Sequence, residues 1–211
     1  MRKLTPELLD HLPHDDMGAM RSRRDLARIN RFMGNDSWII RSVGESPTHI
    51  TEIGAGDGLL LCRLSKIHPD ANISAYDLAP RPAHLPEKAD WHRGDILTQP
   101  APAHGGVLIA NLFLHHFTDD QLRAFTPWLK GFDTVLVNEP LRAKLPLLLG
   151  KAAHPFIHPI TRHDMRVSTE AGFITGELPI LLGLDTHKFT FRETTTWQGA
   201  IRLAANKQES V

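Results

Sequence analysis

Between residues 17 and 33, Leu26, Ile29 and Met33 recur at three- and four-residue spacing, so they share one face of a helix. Arg21, Arg24, Arg28 and Arg31 share another. Gly34 and Asn35 stop that helix, and Asp36 can cap a short second one. From residue 48 the rhythm changes. The β-rich run THITEI ends at Gly54, an apolar helical run spans 59–67, and a second strand over 73–76 ends at Asp77. A third short strand falls near 90–92, and 107–110 reads as a buried fourth strand. Thr118 caps a helix running to about residue 129, with Asp119 and Asp120 in its first turn, where the helix dipole favours acids. A fifth strand, 134–137, is stopped by Asn138, Glu139 and Pro140. Strands alternating with helices call for right-handed crossovers and a parallel sheet. The tail breaks the alternation. Residues 141–149 read as helix, a Pro/His-rich stretch follows, and 161–171 is a helix ended by Gly172. Residues 174–180 and 188–192 read as strands joined through Gly183, a terminal antiparallel hairpin.

Length and charge narrow the partners. A chain of 211 residues supports one core with an appendage. Lys plus Arg and Asp plus Glu are both 24, which disfavours a nucleic-acid binder. The single cysteine, Cys62, excludes an internal disulfide and a Cys-pair zinc site. No apolar h-region follows the basic start, and the longest apolar run, 107–114, is interrupted by Asn111. No membrane span and a cytoplasmic location are therefore expected.

The strongest chemical signal is TEIGAGDG, residues 51–58, where a buried strand meets three glycines and then a helix. Such a turn lets a ligand approach the helix N-terminus closely. A dinucleotide site wants glycine at the sixth position from Gly54, but Leu59 stands there; no Lys-Ser or Lys-Thr pair follows for a phosphate clamp. Glu52 would repel a pyrophosphate and could face an ammonium group. Asp77, at the end of the second strand, suits ribose hydroxyls. Asp95 suits an adenine amine, with Ile96 packing on the ring. Together these positions describe an adenosine carrying an amino-acid tail.

TEIGAGDG, AYDL, HRGDIL and ANLFLHHF, in this order and spacing, resemble the motifs of class I S-adenosylmethionine-dependent methyltransferases over roughly residues 48–194. The resemblance implies an α/β fold, a Rossmann-like seven-stranded mostly parallel sheet with an antiparallel C-terminal hairpin and an N-terminal helical lid. Residues 1–45 would form the lid and 46–211 the S-adenosylmethionine-binding domain. Glu52, Gly54 and Gly56 would border the methionine part of the cofactor, Asp77 with Leu78 the ribose side, and Asp95 with Ile96 the adenine. Asn111 stands where many members place an acid. NEPLR and HDMRVSTEAGF resemble small-molecule members, in particular bacterial O-methyltransferases of phenolic or polyketide-type metabolites.

The same alignment puts residues 111–117 beside the reactive methyl group. A phenol with a pKa near ~10 is mostly protonated at neutral pH, and a histidine near ~6.5 is a suitable base. His115 is the better base and His116 the more structural residue, against the plainer reading that both merely order a helix N-terminus. Glu139, Arg142, His163 and Asp164 are candidates for orienting substrate. No metal is expected, because Asn111 is followed by apolar residues and histidine rather than hard oxygen ligands, and the thirteen histidines form no HExxH motif. The arginine stripe is either a solvated helix face or a lid that sets one arginine on the ligand. Competing functions are an NAD(P)-dependent oxidoreductase and a non-catalytic cofactor-binding module.

Overall fold

The computed structural model describes residues 1–13, 15–102 and 104–208; the last three residues of the expected 46–211 domain, and His14 of the expected lid, lie outside them. Two helices open the chain, α1 (Met17–Met33) and α2 (Asn35–Ser42). Asp16 caps α1 by accepting from the Ala19 amide, and Gly34, at φ 67°, ends it in the left-handed region that glycine tolerates. The alternating body follows as β1 (His49–Ile53), α3 (Leu59–Ile67), β2 (Asn72–Asp77), β3 (Asp90–Arg93) and β4 (Val107–Asn111). Next come α4 (Asp119–Arg123), α5 (Thr126–Lys130), β5 (Thr134–Pro140), α6 (Lys144–Ala153), α7 (Pro159–Ala171) and α8 (Glu177–Leu181). The antiparallel pair β6 (Phe189–Thr195) and β7 (Ala200–Lys207) ends the fold.

The seven strands form one sheet in the order β3-β2-β1-β4-β5-β7-β6. All neighbours are parallel up to β5, and β7 pairs antiparallel with β5 and β6. Helices cover both faces, so the central strands are buried on both sides and alternate between two cores. Leu108 and Ala110 of β4 enter one core, with Phe125, Trp128, Phe132 and Phe173. Val107 and Ile109 enter the other, with Ile39, Leu61 and Leu64.

Three expectations need correction. The stretch 174–180 is not a strand. Gly176, at φ 88°, turns the chain and Glu177–Leu181 coils as α8, which buries Leu178 and Leu181 in the first core. The hairpin is therefore β6–β7, closed at residues 196–199 with Gly199 at φ 103°, not through Gly183. Strand five does not stop at Asn138; pairing with β7 carries it through Glu139 and Pro140. The helix from Thr118 breaks into α4 and α5, because Pro127 removes a donor at the start of the second. Its cap is as expected, a reciprocal box between Thr118 and Gln121. No helix among the described residues is long and apolar enough to cross a membrane.

Candidate active site

Strand order reverses between β1 and β4, and ligands of open α/β sheets sit in the crevice beyond the strand ends at such a switch. The glycine loop lies on one side. Gly54, Gly56 and Gly58 all have positive φ (68°, 56° and 69°). At Gly54 a side chain would strike Phe113, whose ring lies 2.1 Å from the Cβ position, whereas at Gly56 that position is open. The Gly56 amide donates to Asp77 Oδ2 at 2.8 Å, and the Ala79 amide donates to Oδ1 at 2.7 Å. Asp77 thus braces the loop from the tip of the neighbouring strand.

Glu52 is 3% exposed, and its Oε2 has no hydrogen-bond partner. Burial pushes this carboxyl well above the usual range, and the charges of Asp36, Asp57 and Asp77 push it further. A buried, unpartnered acid among three other acids is costly unless a cation arrives. An ammonium group meets that need, and a pyrophosphate does not.

The opposite wall starts at the tip of β4. Asn111 accepts from Asn138 Nδ2 at 2.8 Å, and Asn138 Oδ1 accepts from Arg202 Nε at 3.2 Å. Arg202 also donates to the Met33 carbonyl at 2.8 Å, which ties the end of α1 to the strand tips. Leu112 then takes φ 56°, the one positive φ on a non-glycine among the described residues. That conformation costs roughly 1–2 kcal/mol for an L-residue, and it folds Phe113 back over Gly54. Glu139 fixes the turn: it is 0% exposed and accepts from the amides of Phe113 (2.9 Å), Leu114 (2.7 Å) and His115 (3.3 Å).

The Glu139 carboxylate also holds His115 Nδ1 at 2.7 Å. Across the ring, Nε2 lies 3.4 Å from Glu7 Oε1. Burial works against a charged His115, but the bonds and charges of Glu139 and Glu7 outweigh it and raise its pKa to about 9. The ring is thus an imidazolium at neutral pH and holds no lone pair for a proton. The ring of His116 lies beside it, 4.3 Å between centroids. Burial and the charge of His115 lower the His116 pKa, so it is neutral at pH 7 and able to accept. His115 is thus the ring held at both nitrogens, whereas His116 Nδ1 lies 3.9 Å from Asp10 Oδ2.

A cleft of about 380 Å³ joins these walls. Gly56 lines it on the loop side, Leu112, His115 and His116 on the β4 side, and Leu26, Ile29 and Met33 of α1 form the roof. The roof is thus the apolar face of α1; Arg21, Arg24, Arg28 and Arg31 are exposed on its other side, with Arg28 beside Asp25 at 3.6 Å.

Four expected substrate residues do not line this cleft. Glu139 is buried beneath the β4 turn. Arg142 forms a two-oxygen pair with Glu177, at 2.5 and 2.7 Å, and donates from Nε to the Gly172 carbonyl at 3.1 Å. Asp164 is 1% exposed and accepts from the amides of Leu8 (2.8 Å) and Leu9 (3.1 Å), and His163 Nδ1 lies 3.0 Å from the same carboxylate. Ile96, expected against an adenine ring, is buried in the first core. Asp95 is exposed and caps the following turn through the Leu97 amide at 3.0 Å, and Leu78 is 70% exposed.

Residues 1–12 form a strap over this site, a placement no local pattern announces. Arg2 is 8% exposed; it donates to Ala171 O, Asp119 and His115 O, and its guanidinium lies over the Phe173 ring. The strap delivers Glu7, which also accepts from the Ser168 hydroxyl. No local pattern signals these partners, since Glu7 and His115 lie 108 residues apart.

No family model matches the chain. It is 30% identical over 108 residues to an uncharacterized methyltransferase, YrrT, of Bacillus subtilis (strain 168), covering 47% of this chain and 49% of that one. It is 35% identical over 95 residues to methyltransferase str2 of Strobilurus tenacellus, covering 43% of this chain and 34% of that one. The chain thus aligns with half or less of the curated relatives it matches. Among solved structures, the plantazolicin methyltransferase BpumL, crystallised with a triazolic desmethylPZN analog and SAH, superposes with a TM-score of 0.75 at 15% identity, over 95% of this chain and 93% of that one. The fold is that of the class I S-adenosylmethionine-dependent methyltransferases.

Proposed function

We propose that the protein transfers the methyl group of S-adenosylmethionine to a small-molecule acceptor, preferentially a phenolic or enolic hydroxyl. The observation that carries this reading is the buried, unpartnered Glu52 carboxyl at the end of β1, four residues before the open Gly56, which lines the cleft together with the histidine pair. The two curated methyltransferase relatives, and a structural neighbour crystallised with SAH, support it.

Bound S-adenosylmethionine supplies a methyl group on a sulfonium, open to in-line displacement. The chain's own residues do the rest. Glu52 receives the ammonium end, Asp77 accepts from the ribose hydroxyls while bracing the loop, and Asp95 accepts from the adenine amine. Asn111 is held by Asn138 at the crevice floor. The apolar face of α1 excludes water from the transfer. His116 takes the acceptor's proton, and His115 stays protonated beneath it. Asp10, whose Oδ2 lies 3.9 Å from His116 Nδ1, stands on the path by which that proton leaves. The first 45 residues act as a lid already docked on the body: Ser22 and Thr161 share a hydrogen bond at 3.0 Å, and the His158 amide donates to Asp25 at 2.8 Å.

Calorimetry with S-adenosylhomocysteine tests the reading. Saturable binding is expected, weakened about 100-fold by Asp77→Ala, which removes charge-assisted hydrogen bonds and loosens the loop. No binding at millimolar ligand contradicts it, as does a nicotinamide dinucleotide that binds in its place.

A further inference from the structure

We propose that Glu7, carried in by the N-terminal strap, is a positioning residue of the transfer site: it grips the free edge of His115, so that this ring is held at both nitrogens and His116 is left to receive the proton.

Four observations support this. First, the Glu7 side chain is 14% exposed, and its Oε1 meets both His115 Nε2, at 3.4 Å, and the Ser168 hydroxyl. A carboxylate is withdrawn from water only where such partners compensate it. Burial opposes its charge, yet the His115 bond and charge, with Ser168 and His116, keep its pKa below the ordinary glutamate value.

Second, the strap is fastened on both sides of Glu7. Arg2 anchors it to Ala171, Asp119 and the His115 carbonyl, and Asp164 accepts from the Leu8 and Leu9 amides. The Lys3 amide adds a bond to the Glu170 carbonyl at 3.2 Å. Asp164 was expected to orient substrate; its carboxylate instead orients the segment that carries Glu7.

Third, Glu7 stands in a partition. A second cavity of about 340 Å³ opens beneath the strap, lined by Leu4, Thr5, Asp10 and His11. It shares Glu7, His115, His116 and Ser168 with the 380 Å³ cleft, so these four side chains form the wall between the two spaces.

Fourth, the two ends of His115 differ in origin. Glu139 belongs to the sheet and is fixed by three backbone amides, whereas Glu7 arrives on a strap from the far end of the chain. Glu139 alone would leave Nε2 free to compete with His116 for a proton. A carboxylate at Nε2 removes that competition, because only a protonated edge can face it.

The charged and titratable groups around the two rings are Glu7, Asp10 and His11 on the strap, Glu139 on β5, and Asp164 with His163 on α7, with Arg2 at the His115 carbonyl and Asp119 behind it.

The role in transfer rests on the methyltransferase reading, but the grip on His115 is measured without it. The test is an NMR titration of the His115 and His116 imidazoles in the full-length protein, with S-adenosylhomocysteine calorimetry on the same samples. In the wild type the expected His115 midpoint is about 9. Glu7→Gln lowers that midpoint by about one unit or more, while Glu7→Asp, which keeps the charge, retains most of it. Arg2→Ala, which releases the strap without touching Glu7, also lowers it. Losing the Arg2 charge by itself would push the midpoint up, so a fall reports departure of Glu7. A His115 midpoint unchanged in folded Glu7→Gln, or in Arg2→Ala where the glutamine variant does not fold, overturns the proposal. A wild-type protein that shows the His115 shift but binds no S-adenosylhomocysteine overturns the methyltransferase reading and leaves the grip standing.

Discussion

The two walls of the cleft are built in different ways. The glycine-loop wall is local: Glu52, Gly54, Gly56 and Asp77 sit within 26 residues of one another, on the adjacent parallel strands β1 and β2 and the loop that follows β1. The histidine-side wall is assembled from distance. His115 comes from the β4 tip, Glu139 from β5, Ser168 from α7 and Glu7 from the N-terminal strap. A ligand common to many proteins can be met by a contiguous motif. A particular acceptor is met by whatever remote segments the fold brings over the strand ends, since loops and termini vary while the scaffold stays.

The largest effect that would break this division is on the rate. His116→Ala is expected to lower the methyl-transfer rate about 10²–10⁴-fold while leaving S-adenosylhomocysteine affinity unchanged, as loss of a general base does. Single-turnover transfer to a phenol panel measures it. If His115→Ala lowers the rate and His116→Ala does not, the assignment of the two rings is reversed.

The next effect is on stability, and it belongs to the histidine-side wall alone. His115 has a pKa of about 9 in the folded protein, against about 6.5 unfolded. The raised value means the folded state holds the proton more tightly. Its contribution, about 3 kcal/mol, is fully present below pH 6.5 and is lost as pH rises through 9. Chemical denaturation from pH 6 to 10 should show this fall, and Glu7→Gln should make it smaller and begin at lower pH.

The smallest effect concerns the roof. Replacing Arg21, Arg24, Arg28 and Arg31 with alanine, one at a time, should change stability by no more than about 0.5 kcal/mol, because all four are exposed on the helix face away from the cleft. Met33→Ala, on the lining face, should weaken binding of S-adenosylhomocysteine more than any of them.

The same contrast explains what the sequence made legible. The strands β1 to β4, the glycine loop and the Thr118 cap announce themselves by alternation, by Gly spacing and by a hydroxyl three residues before Gln121, all local signals. The C-terminal hairpin was placed one strand too early. ITGELPI has the apolar content of a strand, but Leu178 and Leu181 share one helix face, and packing against the first core settles it as α8. The true last strand, Ala200–Lys207, is rich in small residues and gains its place by pairing with β5. The two histidines at the β4 tip are legible as a pair, but the charge on His115 is not, because it depends on a glutamate that only the fold brings near. Arg142 and Asp164 sat in plausible segments and proved to be ties, one to Glu177 and one to the strap.

The central claim is that Glu52 waits for an ammonium group. In the free protein burial and neighbouring acids keep its carboxyl protonated more readily than an ordinary glutamate. An arriving cation reverses that preference, so binding lowers the pH at which this carboxyl titrates. Isothermal titration of S-adenosylhomocysteine across pH 5 to 8, in buffers of different ionisation enthalpy, measures this directly as protons released on binding. The account predicts net release of up to about one proton, abolished in Glu52→Gln. Binding with no proton release, or with the same release in Glu52→Gln, would contradict it.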